Sequence, residues 1–290
     1  PYQNICHYKV VLNNNFIVRN GNTKIVLGFQ QNRRQEFADI FNPDKYELYF
    51  LLTTINYNAQ YILTEKNNWK ISFGTSGMYQ QSQNKGIEFV IPEYTLFDMG
   101  GYIITKKSFD KLNISGGIRC DSRNEQTKDL YLNANGVKVN TISSFHRFKS
   151  CNSNFSAISG SIGFVYHFLE TFFTKMNVSR GFRAPNIAEI SANGVHEGTV
   201  RYIIGVPSLK PETSMQLDYA LGLNSEHITA EIDIFNNFIN DFIFLSKIKN
   251  VSGGDSLTDG FTTFKYASGN ANLSGGEVSV DIHPCPLDWL

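Results

Sequence analysis

Ile228-Thr229-Ala230-Glu231-Ile232-Asp233-Ile234 places an apolar side chain at every even position and a polar one at every odd position. A period of two marks a strand with one apolar and one polar face, because successive side chains on a pleated strand point to opposite sides. The pattern recurs at 215–223, where Met215, Leu217, Tyr219, Leu221 and Leu223 alternate with Gln216, Asp218, Ala220 and Gly222. It recurs at 112–121, where Leu112, Ile114, Gly116 and Ile118 oppose Asn113, Ser115, Arg119 and Asp121, and again at 158–168 and 69–79. A soluble antiparallel sandwich with one wet face shows the same alternation, so the alternation does not choose between a sandwich and a barrel.

The connections discriminate. Strands are expected near 5–17, 23–32, 47–62, 69–80, 95–106, 112–122, 154–168, 171–182, 213–224, 227–246 and 261–283. The links between them run short, long, short, long: Asn20-Gly21 is a hairpin turn, 63–68, 107–111, 169–170 and 225–226 are short, and 33–46, 81–94, 123–153, 183–212 and 247–260 are long. In a meander every second link lies at the same end, so the short turns gather at one end and the long loops at the other. Outer-membrane barrels are built this way, whereas sandwiches segregate loop length only partially. The expected fold class is all-β, an antiparallel transmembrane β-barrel of meander topology with long extracellular loops. A soluble sandwich or propeller that binds glycans is the weaker reading. Eleven strands put the two chain ends on opposite sides and leave two unpaired edges, each unsatisfied group costing several kcal/mol in lipid. An incomplete barrel is therefore expected.

Composition agrees by what it excludes. Among 290 residues, 26 Lys and Arg balance 26 Asp and Glu, which removes a basic nucleic-acid footprint. Mean hydropathy is -0.23, yet a barrel hides its apolar band in every second residue, so that average is blind to it. Aromatics are abundant, with 23 Phe and 14 Tyr, as suits pleated surfaces. Six scattered His, with no HExxH, GxSxG or phosphate-cradling glycine loop, argue against an enzyme and call for no cofactor. Cys120 and Cys151 flank one long loop and would bridge in an oxidising compartment only if their Cα atoms lay close; free thiols are the default. The ends, Pro1-Tyr2-Gln3-Asn4 without signal-peptide features and Pro286-Leu287-Asp288-Trp289-Leu290, read as those of a piece of a longer chain.

Three stretches carry a family resemblance: Ser179-Arg180-Gly181-Phe182-Arg183-Ala184-Pro185-Asn186, Asn193-Gly194-Val195-His196-Glu197-Gly198-Thr199-Val200-Arg201-Tyr202, and Leu209-Lys210-Pro211-Glu212-Thr213-Ser214. Together with Gly77-Met78-Tyr79-Gln80, Gly116-Gly117-Ile118-Arg119 and Gly275-Gly276-Glu277, they closely resemble the barrel of TonB-dependent outer-membrane receptors over nearly the whole chain. The resemblance implies eleven strands of a larger, 22-stranded barrel around a plug, with the plug domain, the signal peptide and the last strands absent from residues 1–290. It implies an outer-membrane receptor that imports a scarce solute, such as an iron-siderophore, haem or another metal-bearing compound, with energy from a TonB complex. The implied partners are that complex, the plug, the metal chelate and outer-membrane lipid. Cys120 stands where the family pattern has Tyr, and Cys285 falls in a short turn. A non-transporting, adhesin-like surface barrel or a non-functional receptor fragment stays open as the alternative.

Outward Ile232, Leu217 and Met176 are expected to face acyl chains, with Tyr61, Trp69, Tyr79 and Tyr166 at the interfaces. Inward Lys175, Asn177, Asp218, Glu231, Asp233 and Glu277 are expected to line the lumen and meet the plug. Loop 183–212 is the first candidate for ligand capture. Ala184–Ile190 suits one or two helical turns with Pro185 in the first turn and Gly194 as terminator. Arg183 and Arg201 suit carboxylate or catecholate oxygens through bidentate hydrogen bonds, His196 with Glu197 suits a metal or haem iron, and Glu212 completes the charged set. The alternative is that this loop is scaffolding which positions others. Loop 123–153, with Tyr131, Phe145, His146, Arg147, Phe148 and Lys149, offers aromatic stacking and positive charge for solute-specific contacts.

Overall fold

The structure, a computed structural model, describes residues 2–37, 41–140, 145–196 and 200–282. Six long strands come first: β1 (Tyr2–Val18), β2 (Gly21–Phe37), β3 (Leu48–Leu63), β4 (Trp69–Asn84), β5 (Tyr94–Ser108) and β6 (Leu112–Thr127). The next connection folds into β7 (Leu130–Leu132), β8 (Lys138–Val139) and β9 (Phe145–Phe148) before β10 (Asn152–His167) and β11 (Phe172–Arg183). A helix, α1 (Ile187–Ser191), and the hairpin β12 (Asn193–His196) with β13 (Arg201–Ile204) precede β14 (Glu212–Asn224) and β15 (Ile228–Lys247). Short β16 (Leu257–Thr258) leads into β17 (Phe261–Ile282).

The eleven long strands pair antiparallel in the order β1-β2-β3-β4-β5-β6-β10-β11-β14-β15-β17, a meander. Small strands β8, β7 and β9 form a separate sheet. Parallel pairing occurs where β13 joins β17, from Arg201 opposite Thr262 to Ile204 opposite Lys265. The five short turns and five long connections fall at opposite ends of the wall, as the alternating link lengths require.

The two parities of each strand meet different surroundings. On β6, β10, β11 and β14 the row Ile114, Phe164, Met176, Tyr219 and the row Gly116, Ile162, Val178, Leu217 run across one face in register. Most large members of these rows are strongly exposed, Ile162 at 63% and Leu217 at 45%, which in water would be an untenable apolar surface. On β10 this parity is apolar or glycine from Ile158 to Tyr166, and on β4 it runs from Trp69 to Tyr79 with only Thr75 and Gly77 interrupting it. Nine to eleven residues are what a tilted strand needs to cross hydrocarbon. Trp69, Phe109, Tyr166, Phe168 and Phe172 gather at the short-turn border, with the Lys107 ammonium 5.4 Å from the Trp69 ring centre, an aromatic girdle of the kind that marks a lipid interface. The other face is concave and polar, a trough of 1050 Å³ lined by Asn58, Ser76, Asp98, Tyr102, Arg119 and Ser161 among others.

The strands outrun the apolar pattern at the long-loop end. β2 reaches Phe37, β4 Asn84 and β6 Thr127, whereas alternation alone ends them near 32, 80 and 122. Past the apolar band both parities are polar, as in Ser122, Asn124 and Gln126 against Arg123 and Glu125, so the period-two signal vanishes while the ladder continues.

The cysteines do not bridge. Cys120 lies opposite Ile158, seven residues along β10 from Cys151, and both thiols are free. At about 3.4 Å per residue that is about 24 Å, against the roughly 7 Å limit for a disulfide. The position of Cys285 and the terminal segment 283–290 lie outside the described residues.

Candidate functional site

Chemistry concentrates at the long-loop end, where the 184–211 connection turns inward. Ile187, Ile190 and Leu209 form a buried cluster with Ile243 of β15, flanked by Tyr94 of β5 and Tyr266 of β17. Each fully buried aliphatic side chain contributes about 1.5–3 kcal/mol, enough to hold a loop that a five-residue helix could not hold by propensity. Asn186 caps α1: its Oδ1 accepts from the Glu189 backbone N–H at 2.9 Å while Glu189 Oε2 accepts from the Asn186 N–H at 2.8 Å, a reciprocal capping box. Two local expectations are corrected here. Pro185 precedes the cap instead of entering the first turn, and the helix stops at Ser191, with extended Ala192 after it and Gly194 already in a strand. Asn186 takes the cap because its side-chain oxygen satisfies an N–H that proline cannot serve.

Arg183, the last residue of β11, sits opposite Glu212, the first of β14. Its Nε and Nη2 donate to the two Glu212 carboxylate oxygens at 2.8 and 2.6 Å, and its Nη1 donates to Glu189 Oε2 at 2.8 Å. Glu212 Oε1 also accepts the Ile243 backbone N–H at 2.7 Å, just beyond the β15 bulge where Asp241 has φ 54. All three guanidinium nitrogens are occupied, so Arg183 and Glu212 tie β11, β14, β15 and α1 together.

A second junction joins three connections. Asn193 donates its backbone N–H to Val90 O at 3.2 Å and its Nδ2 to Arg147 O at 2.8 Å. Tyr202, 5% exposed, donates its hydroxyl to Asn193 Oδ1 at 2.7 Å. Arg147 reaches the Tyr202 hydroxyl at 3.3 Å and Phe89 O at 3.5 Å, with its guanidinium 5.7 Å from the Tyr202 ring centre. A Cβ on Gly194 would lie 2.7 Å from both Arg147 Nη2 and Phe89 O, so only glycine allows this approach. Burial raises the Tyr202 phenol above its ordinary range.

The 128–151 connection has its own core of Leu130, Leu132 and Phe148, with Phe89 packed on it. Phe148 is therefore inside, while Phe145 is 60% exposed. His146 stacks on Tyr131 at 4.3 Å and contacts Asp129 Oδ1 through Nε2 at 2.8 Å. The Ser150 backbone N–H, 2.9 Å away, holds the Asp129 carboxyl below the usual carboxylate range, with His146 adding to the effect. Arg201 points its guanidinium over Phe264 at 4.8 Å and is exposed. His196 is placed by its backbone, opposite Arg201, and Glu197 lies outside the described residues.

On the concave face, Lys175, Ala220, Asp233 and Glu277 fall in one row and Asn177, Asp218, Phe235 and Gly275 in the next. Lys175 Nζ meets Glu231 Oε1 at 2.5 Å and Asn177 Nδ2 donates to Asp218 Oδ2 at 3.1 Å. The long-loop half carries residues that alternation does not single out. Arg123 grips Asp98 bidentately at 2.7 and 2.8 Å and reaches Glu125, which is 1% exposed. Arg119 donates to Ser76 at 2.9 Å and lies over Tyr102, whose hydroxyl donates to Asn58 at 3.1 Å. Only strand register, which joins residues 25 to 44 positions apart, brings these groups together. Among the described residues no three His, Cys, Asp or Glu converge on a metal-sized point.

The arrangement is a polar trough roofed in part by an inward-folded loop, with Arg201, His146 and Phe145 exposed at the mouth and Tyr131 half-buried under His146. Residues 8–290 match the family model described as TonB dependent receptor-like, beta-barrel. Similar solved structures include a double mutant of the Serratia marcescens hemophore receptor HasR with its hemophore HasA and heme (TM-score 0.71, 12% identity, 98% of this chain and 47% of that one). The copper transporter OprC aligns at TM-score 0.67 and 13% identity over 98% of this chain and 44% of that one. The siderophore receptor PirA from Pseudomonas aeruginosa aligns at TM-score 0.67 and 13% identity over 95% of this chain and 44% of that one. The chain thus spans less than half the length of each of these structures.

Proposed function

The chain belongs to the TonB-dependent receptor β-barrel family, and from that premise we propose that it forms part of the wall and mouth of a receptor importing a metal-bearing solute. The barrel is an outer-membrane protein, and the family comprises transport receptors rather than enzymes. The observation that carries the proposal is the mouth itself: an inward-folded loop held over a polar trough by Arg183, Glu189 and Glu212, beside exposed Arg201 and the Tyr131–His146 stack. Cationic and aromatic groups at that position suit a flat or carboxylate-bearing chelate, consistent with siderophore, haem and copper proteins among the structural neighbours.

In this reading Arg201, His146, Arg147 and Tyr131, with His196 and Glu197, contact solute, while Arg183 and Glu212 position the loop. Lys175, Asn177, Asp218, Glu231, Asp233 and Glu277 face a plug that fills the concave side, and TonB supplies energy through it. The share of each neighbour covered supports eleven strands of a larger barrel. The test is binding of haem, a ferric catecholate, ferric citrate and cupric ion to the full-length receptor in detergent. One of these should bind, and Arg201→Ala should weaken it about tenfold, the worth of one charge-assisted contact. Binding of none of the four would remove the import reading.

A further inference from the structure

Of the outward side chains on β6, β10, β11 and β14, Arg180 alone is charged. It is exposed, and among the described residues it has no carboxylate partner. The ladder between β10 and β11 ends where Gly160 faces Arg180, which leaves Ile158 O without a β11 amide, and Arg180 Nη1 donates to that carbonyl. A guanidinium has five N–H donors in a planar fork, so among the described residues most of this fork is unused.

Its height is that of a lipid headgroup. Eight residues of β11 separate Arg180 from Phe172 in the short-turn girdle, about 20 Å at the usual rise and tilt, against an apolar band about 25 Å tall. A guanidinium that extends upward on its stem therefore reaches the upper border of the band. Below it the outward face is hollowed. One hollow of 330 Å³ is lined by Arg180, Ile158, Gly160, Ile162, Val178 and Met215. The next, of 580 Å³, shares Ile162 and Val178 and continues past Phe164 and Met176 to Tyr166. Gly160 puts no side chain between the guanidinium and the first hollow.

We propose that Arg180 and these two hollows dock one phosphate-bearing lipid of the surrounding leaflet: the phosphate accepts from the free fork, and an acyl chain runs over Gly160, Ile162 and Val178 toward Tyr166. A planar fork suits two phosphate oxygens at once, and phosphate is the anion that a headgroup layer presents at this height. The charge selects the headgroup and the apolar track holds the chain. The site belongs to the membrane wall and holds whichever solute the receptor imports.

The test is native mass spectrometry of the full-length receptor released from neutral detergent. Dioleoyl phosphatidic acid is the probe, and dioleoylglycerol, with the same chains and no phosphate, is the control. The first phosphatidic acid adduct should clearly exceed that of dioleoylglycerol, and Arg180→Gln should lower it about tenfold, the worth of one charge-assisted contact. Arg180→Lys, which keeps the charge and loses the fork, should fall between. Dihexanoyl phosphatidic acid, too short for the second hollow, should bind more weakly than the dioleoyl lipid. Lys107→Gln, which removes the cation at the opposite border, should leave the first adduct unchanged. Equal retention of the two dioleoyl lipids, an adduct that survives Arg180→Gln, or the same loss in Lys107→Gln would overturn the proposal. So would displacement by millimolar inorganic phosphate, which marks a free-anion site, or a dimer that comes apart in Arg180→Gln, which puts a second barrel on this face. Should Arg180→Gln not fold, the wild-type lipid comparison and Arg180→Lys decide the matter.

Discussion

Arg183 shows how a residue's chemistry can be legible while its role is not. A guanidinium in a charged loop invites assignment to a ligand, yet its fork is filled by Glu212, 29 positions away, and by Glu189 on the next helix. Nothing in the sequence fixes those distances. Glu189 and Glu212 are 9% and 12% exposed, while Arg183 is 42% exposed. Arg183→Ala would leave two nearly buried carboxylates with backbone N–H partners but no cation, at a cost of about 1–3 kcal/mol, the buried-pair penalty reduced for solvent screening. The expected result is faster proteolytic cleavage within 184–211 in a receptor that keeps its folded, heat-modifiable mobility on gels. Asp129 carries a pH prediction. Its carboxyl titrates below its ordinary value of about 3.9, so the stability it lends is present above that value and lost only as pH falls through the lower, folded one. Protection of the Ser150 amide, corrected for intrinsic exchange, should be equal at pH 8 and pH 5, and Asp129→Asn should reduce it at both.

At the scale of the element, the strands were the readable part. All eleven long strands overlap stretches expected from the sequence, and the alternation is clearest on β4, β6, β10, β14 and β15, because a wall one residue thick shows opposite chemistry to its two sides. Their upper ends were not readable, since polar residues such as half-buried Arg123 and buried Glu125 of β6 lie past the apolar band and follow no period. The same holds for β12 and β13, which take their partners from Val90, Arg147 and the edge of β17. Parity itself can be tested at adjacent residues. Ile162 lies on the exposed apolar face and Ser161 on the trough. Ile162→Arg should destabilise the full barrel in lipid by about 2–4 kcal/mol, and Ser161→Arg by much less, read as the shift in urea midpoint after refolding into vesicles. Equal shifts would contradict the assignment of faces.

At the scale of the molecule, β1 is paired along one side only. All seventeen residues of Tyr2–Val18 face β2, and among the described residues no strand covers the other edge. An edge this long is a template for association in water and costly in hydrocarbon. Residues 1–290 produced alone should therefore aggregate or fail to insert into vesicles, whereas the full receptor inserts. Recovery of a monomeric, protease-resistant barrel from these residues alone would argue against a place in a larger wall. The odd strand count was legible in the sequence, but the β13–β17 pairing at the upper edge of the wall was not, because parallel contacts between a loop and a distant strand leave no local pattern.

The length by which the strands exceed the apolar band also sets the electrostatic environment of the mouth. Beyond it stand 81–84 on β4, 121–127 on β6 and 152–157 on β10, about 10–18 Å of height at the usual rise and tilt. A headgroup layer is about 5–8 Å thick, so the rim clears it. Mobile ions reach the rim from every side there, and at physiological salt they screen exposed charges beyond about 8 Å. Arg201 and the Asp129–His146 pair thus answer to the ionic strength of the surrounding medium, and a charged solute is drawn in only over the last few ångströms of its approach.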